Sequence, residues 1–528
     1  MVRSKLLSCV ENMVSARIYE NSLIQYNFDY EYCIFSNEKI SSYQLHDVES
    51  NFNSGEIWGK DYIGMSRDSA ISYDIGTLKP GEEKSFNLFV LIQKNKQEES
   101  IGGANKKIEK IKKYEVDKKI HETSIYWKKY LKEHINIDTN YFNEKVNEIY
   151  KRSILLFPIL ANNETGGIMA APEIDEEKSK CGGYAYCWPR DSVFVTKALD
   201  LLKMQDISEK FYLKFCKDTQ SKNGMWEQRF YTNGNLAPCW GYQIDETASV
   251  IYGINEHYKV TKDIKFLKQT KKMCENACDF LFKYIENLFK IEEQDLVKRE
   301  ILSKFSQDRK MEKHLSFDIW EMNEGVHLYS ISSIYAAFGS MLNIEDELMK
   351  ANPKDSFNNR LKQENVLIRK NKLKKYRDQI KDYIIKNFCD DKQKIFYRNL
   401  DDKKMDISIL GTVFPFNVFS ATEKSVLNTV DKINMTLRTY TGGILRFEDD
   451  NYLGGKNPWV ISTLWMALYY IKAGKKKEAI NLLNFVCKTA NYNGLLAEQV
   501  DNSTLKPSWV IGLGWSHAMF VILLNELQ

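Results

Sequence analysis

A chain of 528 residues with 43% hydrophobic and 13% aromatic side chains can bury a large core and is far too apolar for a disordered segment. Its 75 basic and 71 acidic side chains leave a formal charge of +4, too small a field to hold a polyanion, so nucleic acid is not an expected partner. The 10 cysteines form no Cys-x-x-Cys pair and the 7 histidines no His-Glu-x-x-His, which reads as reduced, mostly buried thiols and argues against a catalytic zinc.

Met1 to Glu20 is interrupted by Glu11, Asn12 and Arg17 and lacks the basic, apolar, small-residue order of a signal peptide. A cytoplasmic location is therefore expected for the chain as given, unless its true start lies upstream. Residues 1–95 contain short β-type runs. Ser85 to Ile92, for example, starts by alternating and follows the turn signal Lys79-Pro80-Gly81-Glu82-Glu83. This predicts an N-terminal antiparallel β-sandwich, short enough and abrupt enough at its start that a front portion is expected to be missing. Residues 96–140 change to Lys, Glu and scattered Ile, with Tyr126-Trp127 and Tyr130-Leu131 at helical spacing. They read as a helical linker with one face docked, and the interleaved acids argue against a lipid or nucleic-acid patch.

From residue 141 to 528 no β pattern of any length appears. Helical segments are expected over 141–161, 192–204, 207–219, 246–260, 264–288, 326–341, 366–388, 459–473, 476–489 and 509–527. Paired helices in this number predict an α/α toroid rather than a simple bundle. The most apolar run, Trp509 to Leu524, contains Ser516 and His517 and is short for a bilayer, so it reads as a buried helix and no membrane partner is expected.

The loops between these helices collect aromatics, acids and glycines. They are Gly182 to Asp191, Gly224 to Phe230, Trp240 to Glu246 and Ser316 to His327. A helical ring whose long loops carry such residues has its site on one face. In the last loop Glu321 follows Trp320, and a carboxyl group beside an indole loses water, which lifts its pKa toward the range of a general acid. The plainer reading of this stretch is a helix start capped by acids. Glu324 is a weaker rival for the acid, and Asp245 with Glu246 read as a helix cap and first-turn acid.

In order, these loops resemble glycoside hydrolase family 15, the glucoamylase family, in its prokaryotic form, over roughly residues 141–527. Tyr184-Ala185-Tyr186-Cys187-Trp188-Pro189-Arg190-Asp191 is similar to the family's Tyr-x-Tyr-x-Trp-x-Arg-Asp loop, and Asp318-Ile319-Trp320-Glu321 to its acid motif. Gly443 to Glu448 with Asn457-Pro458-Trp459 resembles the arginine loop, Leu496-Ala497-Glu498-Gln499 the base motif, and Gly514-Trp515-Ser516-His517-Ala518 the prokaryotic final helix.

The resemblance implies a mainly α fold, an (α/α)6 barrel over 141–528 behind the smaller sandwich. It also implies an enzyme that removes glucose with inversion from the non-reducing ends of α-glucans or oligosaccharides. Inversion needs a protonated acid for the glycosidic oxygen and an ionised base for a water on the opposite face, about 6.5 to 9.5 Å apart. By resemblance these are Glu321 and Glu498. Arg190 and Asp191 would grip the outer hydroxyls of the terminal glucose, Arg446 would be a second clamp, and Tyr184, Trp240, Trp320 and Trp459 would supply the aromatic surroundings. Arg190 and Asp191 could equally be a plain ion pair, and any one Trp could be core. No cofactor is expected, since two carboxyls and water suffice and no phosphate loop, haem or flavin motif appears.

One departure concerns the leaving side. The family often has a second acid directly after the catalytic one, and here the residue is Met322, whose thioether is a weak acceptor. Trehalose- or isomaltose-type substrates therefore stay open. An (α/α)6 sugar phosphorylase and a catalytically silent glucan-binding protein are the other readings, although no basic phosphate nest is evident and both carboxylates are present. The sequence leaves the oligomeric state open.

Overall fold

A computed structural model of the protein describes residues 2–5, 14–27, 30–59, 61–65, 68–94, 102–173, 183–293, 315–351 and 360–528. Gly182 lies outside the described residues. The chain divides into two compact units, Met1–Lys129 and Tyr130–Gln528.

In the first unit, strands β2 (Ser15–Tyr19), β3 (Ser22–Tyr26) and β4 (Tyr30–Ser36) form a meander that β6 (Ile63–Met65) and β8 (Leu88–Lys94) extend to a five-stranded antiparallel sheet in the order β6-β2-β3-β4-β8. β1 (Val2–Lys5), β7 (Asp68–Tyr73) and β5 (Ile40–Gln44) make a second, three-stranded sheet. Alternation along the strands sends Ala16, Leu23, Ile34, Leu45 and Ile71 into one buried cluster. The opposite residues Ile24, Cys33 and Phe35 pack under Ala104 and Ile108 of a helix, α2 (Gly102–Ile111), which follows the short α1 (Val48–Ser54). A further helix, α3 (Val116–His134), runs across the point where the two units divide.

The second unit is a closed ring. Helices α5 (Pro189–Leu201), α8 (Ile244–Thr261) and α10 (Leu328–Ala351), a 3-10 turn at Ile407–Thr412, α13 (Val460–Lys472) and α15 (Gly514–Leu527) each touch the next, and α15 returns to α5. These elements are buried almost all round, as a helix enclosed by others must be. Around them lie α4 (Glu144–Leu160), the segment α6 (Gln205–Lys210) with a π turn at Phe211–Cys216 and α7 (Lys217–Thr219), then α9 (Ile264–Glu293), α11 (Arg360–Phe388), α12 (Lys424–Leu437) and α14 (Lys476–Thr489). The outer helices are one-sided. In α12, for example, Val426, Thr429, Val430, Ile433 and Leu437 are the buried stripe, and the opposite side is polar apart from the exposed Met435. The architecture is the mainly helical (α/α)6 barrel with a small antiparallel β region before it. Among the described residues no helix is long and apolar enough to cross a membrane.

Three local expectations are corrected. The helix Lys424–Leu437 was not anticipated, because Thr, Asn and Ser dilute its apolar stripe. The β-free reading of the barrel misses paired segments of two to five residues, β9 (Tyr186–Cys187) with β10 (Phe230–Tyr231), β11 (Ser316–Phe317) with β12 (Glu324–Gly325), and β13 (Ala497–Val500) with β14 (Pro507–Ile511), most of them too short for a period of two to show. The last helix starts at Gly514 rather than Trp509, since Trp509 belongs to β14.

Five of the six inner elements are entered through a segment that the sequence singled out: Trp188 before α5, Gln243 before α8, the loop 318–327 before α10, Trp459 before α13 and Trp509 before α15; Asp406, before the 3-10 turn, was not among them. Contacts tie these entrances together. Arg190 at the start of α5 reaches Asp245 and Glu246 at the start of α8, and lies over Trp515 at the start of α15. The helix N-termini thus converge on one end of the ring, a setting that favours carboxylates.

Candidate active site

Glu321 sits at the tip of a hairpin, not at a helix start. β11 and β12 pair Ser316 with Gly325 and Phe317 with Glu324, and the chain turns between them. Asp318 builds that turn: its carboxylate accepts from the Trp320 amide (3.1 Å), the Met322 amide (2.9 Å) and the Asn323 side chain (2.8 Å). The turn holds Glu321 at φ 63, a left-handed conformation that costs a non-glycine residue about 1 to 3 kcal/mol and persists only where its surroundings fix it. His327 locks the base of the hairpin. Its Nε2–H donates to the Ser316 and Asn323 carbonyls (3.1 and 3.0 Å), a tautomer assigned from the Asn399 amide that donates to Nδ1, and burial pushes its pKa down, so the ring is neutral.

The half-buried Glu321 carboxylate is gripped by indoles. Trp188 Nε1 donates to Oε1 at 2.5 Å, and Trp240 Nε1 donates to the Glu321 carbonyl at 3.2 Å. Burial pushes its pKa up to about 7, against the Arg190 charge, the Trp188 hydrogen bond and Arg229, which favour the ionised form.

Glu498 is placed by a different device. The register of β13 on β14 shifts between Ala497 and Gln499, so Glu498 occupies an irregularity of the kind that re-aims a side chain. It is 6% exposed. Tyr184 Oη donates to its Oε1 at 2.9 Å and itself accepts from Trp509 Nε1 at 3.2 Å. Oε2 is buried, and among the described residues nothing hydrogen-bonds it with good geometry. Burial pushes this carboxyl up to about 7 as well, opposed by Arg446 and the Tyr184 hydroxyl. Burial thus raises the proposed base as far as the proposed acid, so Glu498 is ionised only as pH approaches about 7.

One loop connects the two acids. Tyr184, on Glu498, and Trp188, on Glu321, are four residues apart, with ring centroids 6.4 Å from each other. The charge of Asp191 raises both carboxyls. On the far side, backbone bridges run from Ile444 to Trp459 and from Trp459 to Gln499, which bring the arginine loop against the Glu498 strand.

Arg190 is 3% exposed and surrounded by three carboxylates, Asp191 (3.1 Å), Asp245 and Glu246 (3.0 Å each). Pro189 at the first helical position starts α5, and the Arg190 amide donates to Glu246 at 2.6 Å. Asp245 and Glu246 are thus first-turn acids that anchor Arg190. Neither caps α8, whose cap position is Gln243. Arg446 lies 4.1 Å over the Trp459 ring and is held bidentately by Asp450 (2.7 and 2.8 Å), and its NH2 donates to Met322 Sδ at 3.3 Å. Trp240 is 46% exposed, whereas Trp459 is 5% exposed. Trp320, at 8%, is turned inward, donating Nε1 to both oxygens of Asp406 (3.1 and 2.9 Å) while its ring meets Trp459.

Sequence reasoning did not assign Trp188, Arg229, Asp450 or Trp509 to the site. Trp188 and Arg229 stood in quoted loops and the Arg446-to-Asp450 spacing is visible, but nothing in a single sequence says which neighbours a loop aromatic meets. A separate cleft beside the π turn, lined by Leu213, Lys217, Gln269 and Met273, shares no residue with this site.

Comparison with known proteins agrees with this architecture. The family described as glycosyl hydrolases family 15 matches residues 144–296 and 309–525. An uncharacterized glycosyl hydrolase of Methanocaldococcus jannaschii is 28% identical over 96% of this chain and 77% of its own length. Trehalase 2 of Sulfolobus acidocaldarius is 25% identical over 67% of this chain, which spans only 59% of that protein. Among solved structures, a bacterial glucoamylase complexed with acarbose superposes with a TM-score of 0.72 at 18% identity, covering 98% of this chain and 75% of that one. The family match over most of the barrel, on a ring with glucoamylase-like architecture, makes this chain a member of glycosyl hydrolases family 15 and a glycoside hydrolase.

Proposed function

We propose that the chain is an inverting, exo-acting α-glucosidase that releases β-glucose from the non-reducing ends of α-glucans or maltooligosaccharides. Glu321 donates its proton to the glycosidic oxygen as the bond to C1 breaks. Glu498 takes a proton from a water, which attacks C1 from the opposite face. Each carboxyl ends with the other's starting charge, and proton exchange with solvent resets the pair. The observation that carries this reading is that two raised carboxyls from distant parts of the chain are held by the two ends of a single loop, Tyr184 and Trp188. Arg190, Asp191 and Arg446 are the proposed hydroxyl-binding groups, with Trp240 and Trp459 as apolar walls.

Because both carboxyls are pushed up to about 7, the form with one carboxyl protonated and the other ionised is most populated near that pH. The active form carries one proton, so kcat should trace a narrow bell centred near neutrality. A flat profile across that range would count against paired carboxylates.

A second reading is hydrolysis of trehalose. It is favoured by Met322, which meets Arg446 with a thioether where a carboxylate acceptor would hold a leaving sugar, and by relatives such as Trehalase 2 of Sulfolobus acidocaldarius. Proton NMR of the sugar released early from maltotriose and from trehalose separates the possibilities. β-Glucose appearing first from maltotriose supports the main reading. α-Glucose first would mean retention and would overturn it, and turnover of trehalose alone would select the second.

A further inference from the structure

We propose that Arg229 is a positioning residue for Glu321, acting by holding together the two indoles that grip it; this rests on the acid role proposed above. Arg229 precedes β10, whose Phe230 and Tyr231 pair with Cys187 and Tyr186 of β9, so it comes level with Trp188 across the ladder. Its guanidinium lies 4.6 Å from the Tyr186 ring centroid, 4.7 Å from Trp240 and 5.3 Å from Trp188. Its Nε donates to the Pro238 carbonyl at 2.5 Å, which ties the loop carrying Trp240 to the same cation.

A planar cation among three ring faces fixes the rings as well as being fixed by them. Two of those rings are the ones that matter, since Trp188 donates to the Glu321 carboxylate and Trp240 to its backbone carbonyl. The hairpin tip itself is strained at Glu321, so its carboxylate position depends on these outside holds. Arg229 also faces Glu321 electrostatically, alongside Arg190 and Asp191 from the start of α5.

The test compares Arg229→Gln, Arg229→Lys and Glu321→Gln on maltose and on α-glucosyl fluoride, whose departing fluoride needs little protonation, across about pH 5 to 9. Arg229→Gln should lower kcat on maltose by roughly ten- to a hundredfold with KM little changed, since a misplaced acid impairs the chemical step. The loss on the fluoride should be smaller. Removing a positive charge raises the carboxyl's pKa, so the alkaline limb of kcat should move to higher pH. Arg229→Lys keeps the charge and should leave that limb in place while kcat on maltose still falls.

A variant that only melts earlier, or that loses both substrates equally with the limb unmoved, would overturn the proposal. If Glu321→Gln itself loses both substrates equally, the acid assignment fails whatever Arg229 does. A native enzyme inactive on both would defeat the glucosidase reading beneath them.

Discussion

Glu321 hangs from the turn 318–323 in a left-handed conformation, half-buried, its carboxylate reached by one indole and its backbone by another. Glu498 lies in a paired strand at a register shift, 6% exposed, with one oxygen on Tyr184 and the other, beside the Gln499 amide, without a well-formed hydrogen bond among the described residues. The same side chain, with its pKa raised to about 7 in both places, is thus presented in two ways. A carboxyl on a tip held from outside can meet a leaving oxygen. One seated in a strand with a buried oxygen lacking a well-formed hydrogen bond suits a small acceptor task such as orienting water. Environment, not residue type, would separate the two proposed roles.

Neutralising each acid in turn breaks the comparison most directly. Glu321→Gln and Glu498→Gln should each lower kcat on maltotriose by roughly 10² to 10⁴-fold while binding survives. Turnover with Glu498→Gln close to that of the native enzyme would remove the base from the scheme.

The same substitutions should have the opposite effect on stability. Both carboxyls have folded pKa values above their ordinary 4.5, so the folded state holds more protons than the unfolded one between the two values. The stability linked to them is fully present below about pH 4.5 and is lost as pH rises through about 7. Each Gln variant should therefore gain on the order of 1 to 3 kcal/mol over the native enzyme at alkaline pH and little at pH 4. Melting curves at several pH values read this, and a gain that does not grow with pH would refute it.

The contrast between the hairpins also shows what a sequence can disclose. The ring was legible because helices of 13 to 30 residues write their apolar period over several turns. Glu321 and Glu498 were singled out through motif resemblance, and Glu321 also through the adjacent indole. That indole was the wrong one physically: Trp320 turns to Asp406, and Trp188, from a loop far away in sequence, makes the hydrogen bond. The hairpins that aim both acids were invisible, since strands of two to five residues leave too little pattern. Ion-pair partners were half visible. Asp245 and Glu246 were noticed as acids, but that they enclose Arg190 follows only from the ring bringing two helix starts together.

The smallest expected effect lies in the Glu321 hairpin itself, at Met322, a position where the family resemblance implies a second acid. Met322 is 38% exposed and its sulfur takes a donor from Arg446, whose other contacts include a bidentate pair with Asp450 and the Trp459 face. Met322→Glu would replace a weak acceptor with a charged one beside that arginine, able to take a hydroxyl of a leaving glucose. A charge-assisted hydrogen bond contributes about 1.5 to 3 kcal/mol when enclosed and less when partly exposed, so KM for maltose should fall by roughly two- to tenfold relative to KM for trehalose. The two disaccharides share the glucose that enters the pocket and differ in how the leaving glucose presents its hydroxyls. A selective gain on maltose would therefore place Met322 on the leaving side, whereas equal changes in both constants would show that position 322 acts only through the hairpin and Glu321.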